Sequence, residues 1–154
     1  MNKLIFSIAF IFILVGRLVT DLLASINAFI GLIVIFTTPW MIIMMIGFFV
    51  RRGWYSPEDV QVFNKGKTGG IYWFNAGFNW RGLLAWIPSA ILGLMFCYYP
   101  PLLIGPWSGA VGGIDISLPV SIVSAAVLYV LFLSIWPEPK SAYGPKGSRL
   151  VRTK

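Results

Sequence analysis

Five carboxylates, one thiol and no histidine leave this chain of 154 residues little acid–base or metal-binding chemistry. The carboxylates are Asp21, Glu58, Asp59, Asp115 and Glu138, and the thiol is Cys97. General acid–base catalysis needs a proton-transfer group held against the reacting atom, and covalent catalysis needs a nucleophile beside a base. Ser7, Ser89, Ser121, Ser124 and Ser134 have no partner base and read as packing residues. A metal centre wants three or four ligands at set spacings, and the chain offers none. The lone Cys97 also excludes an internal disulfide. These residues describe a chain that is not an enzyme and holds no metal or cofactor.

The other chemistry open to it is transport, where ligand sites lie on bent or broken helices whose backbone groups are exposed near the bilayer midplane. Thr37, Thr38, Pro39 and Trp40 form the one stretch with that character. Proline removes a backbone hydrogen bond, and threonine hydroxyls can satisfy the carbonyl it frees. Two readings stay open there: a kinked helix that satisfies itself, or a ligand contact. The aromatic run from Tyr72 to Trp80 is equally double. It could stack a planar substrate, or anchor the chain at headgroup level as Trp and Tyr do.

The elements that must position these residues are membrane spans. Hydrophobic residues make up 58% of the chain and charged residues 11%, with mean hydropathy +0.82. A bilayer core of about 30 Å takes about 20 residues of helix to cross. Four apolar segments qualify, at about 4–22, 27–50, 81–98 and 117–136, so the fold class is an all-α integral membrane protein. Residues 1–140 form that four-helix region, and 141–154 form a basic tail.

A signal peptide would place small residues at a cleavage site after the first apolar run. Leu22-Leu23-Ala24 does not, and the first span reads as uncleaved. Arg17 and Asp21 near its far end have the i, i+4 spacing of a helical ion pair. Ser56-Pro57-Glu58-Asp59 has the cap, proline and acids of a short helix start.

Charge sets the orientation. The net charge is +7, and eleven of the twelve Lys and Arg residues fall on one side of this layout, leaving only Arg17 opposite. Short loops rich in Lys and Arg stay in the cytoplasm. Both termini are therefore expected inside, in a multi-pass protein of the cell membrane. The basic loops face anionic headgroups, so the expected partner is the lipid bilayer and not nucleic acid. Ala85, Ser89 and Gly93 on the third span, and Ser117, Ser121 and Ala125 on the fourth, repeat every four residues. Such seams of small side chains let helices approach closely in lipid. They suit an antiparallel hairpin of spans three and four.

Around this hairpin the sequence becomes familiar. Phe48-Phe49-Val50-Arg51-Arg52-Gly53-Trp54-Tyr55, then Gly70-Ile71-Tyr72-Trp73-Phe74, then Gly77-Phe78-Asn79-Trp80-Arg81 with Ala85-Trp86, resemble the nucleobase–cation symporter family, in its purine–cytosine permease-like branch. The likeness covers about residues 25–140. Many members carry an acidic and then an aromatic residue where this chain has Ile46 and Gly47. The resemblance implies a LeuT-like fold of twelve helices, of which this chain would be the last four. It implies a C-terminal portion of a permease for nucleobases or related compounds such as cytosine, purines or allantoin, coupled to sodium or a proton and not competent to transport alone. The missing N-terminal helices would then be a partner chain. The helix equivalent to span two can act as a thin gate in relatives, which makes Thr37, Thr38, Pro39 and Trp40 a candidate gate or hinge. No substrate-binding residue is carried over. The alternative is a small four-helix protein serving as a structural or accessory subunit, docking on a transporter through the two small-residue seams.

Overall fold

The computed structural model describes residues 2–62, 64, 66 and 68–145, with the side chains of 2–7 and 9 left aside. Lys65, Lys67 and the basic tail residues Lys146, Arg149, Arg152 and Lys154 lie outside the described residues. The elements run α1 (Asn2–Val50), α2 (Pro57–Val60), α3 (Trp80–Met95), a two-stranded hairpin β1 (Tyr98–Tyr99) and β2 (Leu103–Ile104), and α4 (Ser117–Ile135). Short 3₁₀ turns cover Asn75–Gly77, Ser108–Val111 and Lys140–Tyr143.

The segments expected as two spans at 4–22 and 27–50 lie in one helix of 49 residues, α1. The reason is local: Leu23-Ala24-Ser25-Ile26 contains no Gly or Pro, and every residue in it tolerates a helix. Ser25 and Thr20 return their hydroxyls to the carbonyls of Asp21 and Arg17, both at 2.8 Å, which keeps the helix closed and can bend it. Arg17 and Asp21 themselves do not come within ion-pair distance.

Among the described residues, two helices are long and apolar enough to cross a bilayer, α1 over Phe10–Val50 and α4. At 16 residues α3 is shorter than its expected range. Its end is set by the hairpin: the Trp107 and Gly105 amides donate to the carbonyls of Met95 (2.9 Å) and Cys97 (2.8 Å), the groups a longer helix would have used. A side chain on Gly105 would collide with the Leu94 and Met95 carbonyls, so this closure needs glycine.

The end of α1 is equally well defined. Gly53 N–H reaches the Phe48 carbonyl and Arg52 N–H the Phe49 carbonyl, the paired bonds of a Schellman stop, with Arg52 left-handed at φ 53°. The short α2 starts as expected, with the Ser56 hydroxyl accepting from the Asp59 amide.

Each long helix buries one row of residues four apart. On α4 the row is Ser117, Ser121, Ala125, Tyr129 and Leu133. On α3 it includes Ala85, Ser89 and Gly93. On α1 it is Ala28, Gly31, Ile35, Pro39, Ile43 and Gly47. All three rows meet along one axis, and α1 runs antiparallel to α3 beside the α3–α4 hairpin. The Tyr99 ring from β1 lies directly on Gly31, which marks one end of the packed bundle. Residues of α1 before Ala28 have no buried face among those described.

The three rows press closely at Gly93, where an added Cβ would lie 3.0 Å from Ile35 and closer still to the Ser121 hydroxyl. Overpacking of this kind costs about 1–3 kcal/mol. Gly93→Ala should therefore lower the melting temperature of the detergent-solubilised protein, and adding Ser121→Ala should return part of the loss.

Candidate functional site

Chemistry gathers at the other end of the bundle, where α1 stops, α3 starts and α4 has just ended. Arg51 and Glu138 are 87 positions apart and form an ion pair, Nη2 to Oε2, at 2.7 Å. Both side chains are nearly excluded from solvent, at 9% and 2% exposed. Arg51 also donates to the Tyr55 hydroxyl at 3.2 Å and lies over the rings of Tyr55 and Tyr72. Burial by itself would lower the arginine pKa, but Glu138, with Tyr129 and Tyr55 behind it, outweighs burial and holds the pKa above its ordinary value. Arg51 stays charged.

Asn79 joins the two halves of this layer. Its amide oxygen accepts from the Gly82 amide and caps α3, while its amide nitrogen donates to Glu138 Oε1, both at 3.4 Å. Two residues on, Arg81 reaches across to the end of α4. Its Nε donates to the Trp136 carbonyl and its Nη2 to the Pro137 carbonyl at 3.1 Å. Those carbonyls are left over where α4 stops, and a cation at a helix C-terminus also answers the helix dipole. The guanidinium stacks 4.3 Å from the Trp136 ring centroid. Thus Arg51, Asn79 and Arg81, drawn from the stretches that carry the family resemblance, meet in one polar layer. Glu138 completes it.

A cavity of about 280 Å³ opens against this layer between α1, the 77–83 segment and α4. Its inner wall is Arg51, Asn79 and the buried Tyr129; Trp40, Met44 and Phe78 form the more exposed side. Gly47 leaves the room. A Cβ there would lie 3.1 Å from Arg51 Nη1 and 3.6 Å from the Tyr129 hydroxyl, so a side chain at this position would press on the Arg51 guanidinium.

The four candidate gate residues occupy one turn of α1 but do not share a role. Pro39 is fully buried in the helix row, and Trp40 lines the cavity. Thr37 donates to the Ile33 carbonyl at 2.7 Å, two residues before the carbonyl that the proline deprives. The carbonyl deprived by Pro39 is that of Ile35, and its neighbour Phe36 receives an outside donor, the indole N–H of Trp86 on α3 at 2.7 Å. Thr38 is half-buried. The helix continues through the proline without a break.

Ala85, Ser89, Gly93, Ser121 and Ala125 are all buried against one another and against α1. The seams are filled from within the chain, which corrects the idea that they receive a separate transporter. The pattern missed Arg51 with Glu138, and Arg81 with the end of α4. Only the charged residues flanking Trp136-Pro137 hinted at them. Among the described residues no group of three potential metal ligands comes together.

The family model described as a permease for cytosine/purines, uracil, thiamine and allantoin matches residues 2–121, well over half of the chain. No curated protein and no solved structure matches it.

Removing one partner of a buried ion pair leaves an uncompensated charge and costs about 3–5 kcal/mol. Glu138→Ala is expected to destabilise the protein on that scale, and the double variant Arg51→Met with Glu138→Leu to cost much less. Thermal unfolding of the four members of the cycle reads the difference.

Proposed function

We propose, because the chain belongs to the family of permeases for cytosine/purines, uracil, thiamine and allantoin, that it supplies the C-terminal helices of a secondary active transporter for nucleobases or related compounds. The family is one of membrane transporters and not of enzymes. What carries the reading on the structural side is the convergence of Arg51, Asn79 and Arg81 on one layer beside a cavity. Motif residues far apart in sequence have a common task there.

In this proposal the chain crosses the membrane four times with both ends in the cytoplasm. The packed half of α1, from Gly31 under Tyr99 to Arg51 in the polar layer, spans about 30 Å at 1.5 Å per residue, one hydrocarbon thickness. The whole of α1, 49 residues, is about 73 Å long on the same rise, more than a bilayer with its headgroups holds. Its first half is too apolar to stand in water, so we place a turn in the membrane-bound protein near Ser25. Pro39 would be the hinge of the second crossing, since the backbone bond missing at Ile35 makes that turn its softest point. Sodium or a proton would be the coupling ion.

Transport by this chain alone is not expected, because alternating access needs an opposing repeat around the site. The accessory-subunit reading gains no support from the filled seams; it would have to use the exposed face of α1. Cells expressing only these 154 residues should show no saturable uptake of labelled cytosine, purines, uracil or allantoin, and co-expression with the missing helices should restore it. Robust uptake by the chain alone would refute the proposal. A cysteine placed at Ser141 should react with an impermeant thiol reagent only after the membrane is opened.

A further inference from the structure

Arg81 holds a charge that no side-chain carboxylate neutralises. Its residue is 6% exposed. All five Asp and Glu residues of the sequence are among the described residues. Glu138 is bound to Arg51, and no other acid lies within ion-pair distance of Arg81. The Trp136 and Pro137 carbonyls just past α4 and the Trp136 and Phe74 rings stabilise the cation by dipoles and ring electrons without cancelling it. A guanidinium has five N–H donors, and two are used here. Arg51, Glu138 and Arg81 together leave the layer one positive charge in excess.

That charge borders a second cavity, distinct from the one behind Tyr129. It is about 520 Å³ and opens between the 70–76 segment and the chain after α4. Its lining includes Arg81, Asn75, Ser141, Trp73, Phe74 and Trp136. Asn75 and Ser141 are exposed and bring an amide and a hydroxyl to the cavity. Asp59 lies against Gly70 at the rim and offsets part of the field. Next to Asn75, Ala76 holds a left-handed conformation at φ 53° and ψ 36°, which a residue with a Cβ adopts only at a cost of about 1 kcal/mol. Strain of this sort collects where a ligand or a switch gives it a purpose.

We propose that this cavity binds a phosphate group, held by the Arg81 fork with Asn75 and Ser141 as further donors. An arginine fork matches the spacing of phosphate oxygens and meets them with two parallel bonds. A tetrahedral anion can accept from donors on several walls at once. The phosphate can come from a phospholipid headgroup, which the ring of Trp136 at the helix end places within reach, or from a small phosphorylated solute. The site is independent of the transport reading, since it stands on the unpaired charge and the cavity beside it.

The test uses the full chain, purified in neutral detergent and titrated with inorganic phosphate while tryptophan fluorescence and phosphorus NMR line width are followed. A second arm places it in nanodiscs of phosphatidylcholine with and without phosphatidylglycerol and reads retained lipid by mass spectrometry. A headgroup site retains phosphatidylglycerol over phosphatidylcholine and ignores inorganic phosphate; a solute site does the reverse. Whichever probe binds, Arg81→Lys should weaken it by about tenfold or more through loss of the fork. The pair Asn75→Ala with Ser141→Ala should weaken it several-fold at unchanged melting temperature, because neither residue takes part in the grip on α4. Failure of both probes to saturate overturns the proposal. So does undiminished binding by the Asn75/Ser141 double variant and by Arg81→Lys.

Discussion

A charge removed from water costs several kcal/mol unless another group answers it, and this chain takes two arginines and one glutamate out of water at the same level. That constraint arranges the bundle. Arg51 closes α1, Arg81 opens α3, and Glu138 follows α4, so satisfying them forces three helix ends into one layer. Asn79 makes the layer continuous by bonding to α3 with one end of its amide and to Glu138 with the other. Tyr129 and Tyr55 shield the ion pair from the side. Without this layer the helices would be held by packing alone, and in lipid no hydrophobic drive adds to packing.

From the polar layer outward, spacing does the rest. Once the ends are pinned, the rows at every fourth residue lie opposite one another, with α1 and α4 closing on Gly93 and the Tyr99 ring seated on Gly31. Ser89 turns its hydroxyl back to the Ala85 carbonyl of its own helix, whereas the Ser121 hydroxyl is buried in the seam without a hydrogen-bond partner. The one place where α1 depends on a neighbour for its backbone is the turn at Pro39. There the Trp86 indole takes the Phe36 carbonyl, and the two rings meet edge to face. The α3–α4 hairpin is thus the firmer body, and α1 is bound to it at Arg51, at Phe36 and at Gly31.

Much of this was legible in the residue order. The helices after Gly53 fall close to the expected segments because their stops are chemical: Gly53, the proline-rich hairpin, and Trp136-Pro137. The small-residue rows were visible because a helix repeats its face every three to four residues. What could not be read was any pairing between helix ends. Glu138 looks like a tail residue, and only the hairpin geometry of α3 and α4 carries it back to Arg51. Arg81 looks like one more cytoplasmic charge, and its value lies in the leftover carbonyls of a helix that ends 54 positions later. The stretch at 23–26 misled in the opposite sense. Membrane thickness argues for an interruption there, yet the side chains themselves contain no instruction to stop a helix.

That last mismatch has a physical source worth following. Local propensity acts on a few residues at a time and favours one continuous α1, whereas the bilayer acts on the whole segment and cannot hold it straight. The half of α1 that packs has a partner at every buried position, and its length equals the hydrocarbon core. The half that does not pack shows Phe10, Phe12 and Leu18 exposed at 65%, 74% and 70%, values untenable against water for a surface of that extent. Lipid or further helices must cover it. The seams of small residues are already filled from within the chain, so the exposed half of α1 is the surface that such cover would meet.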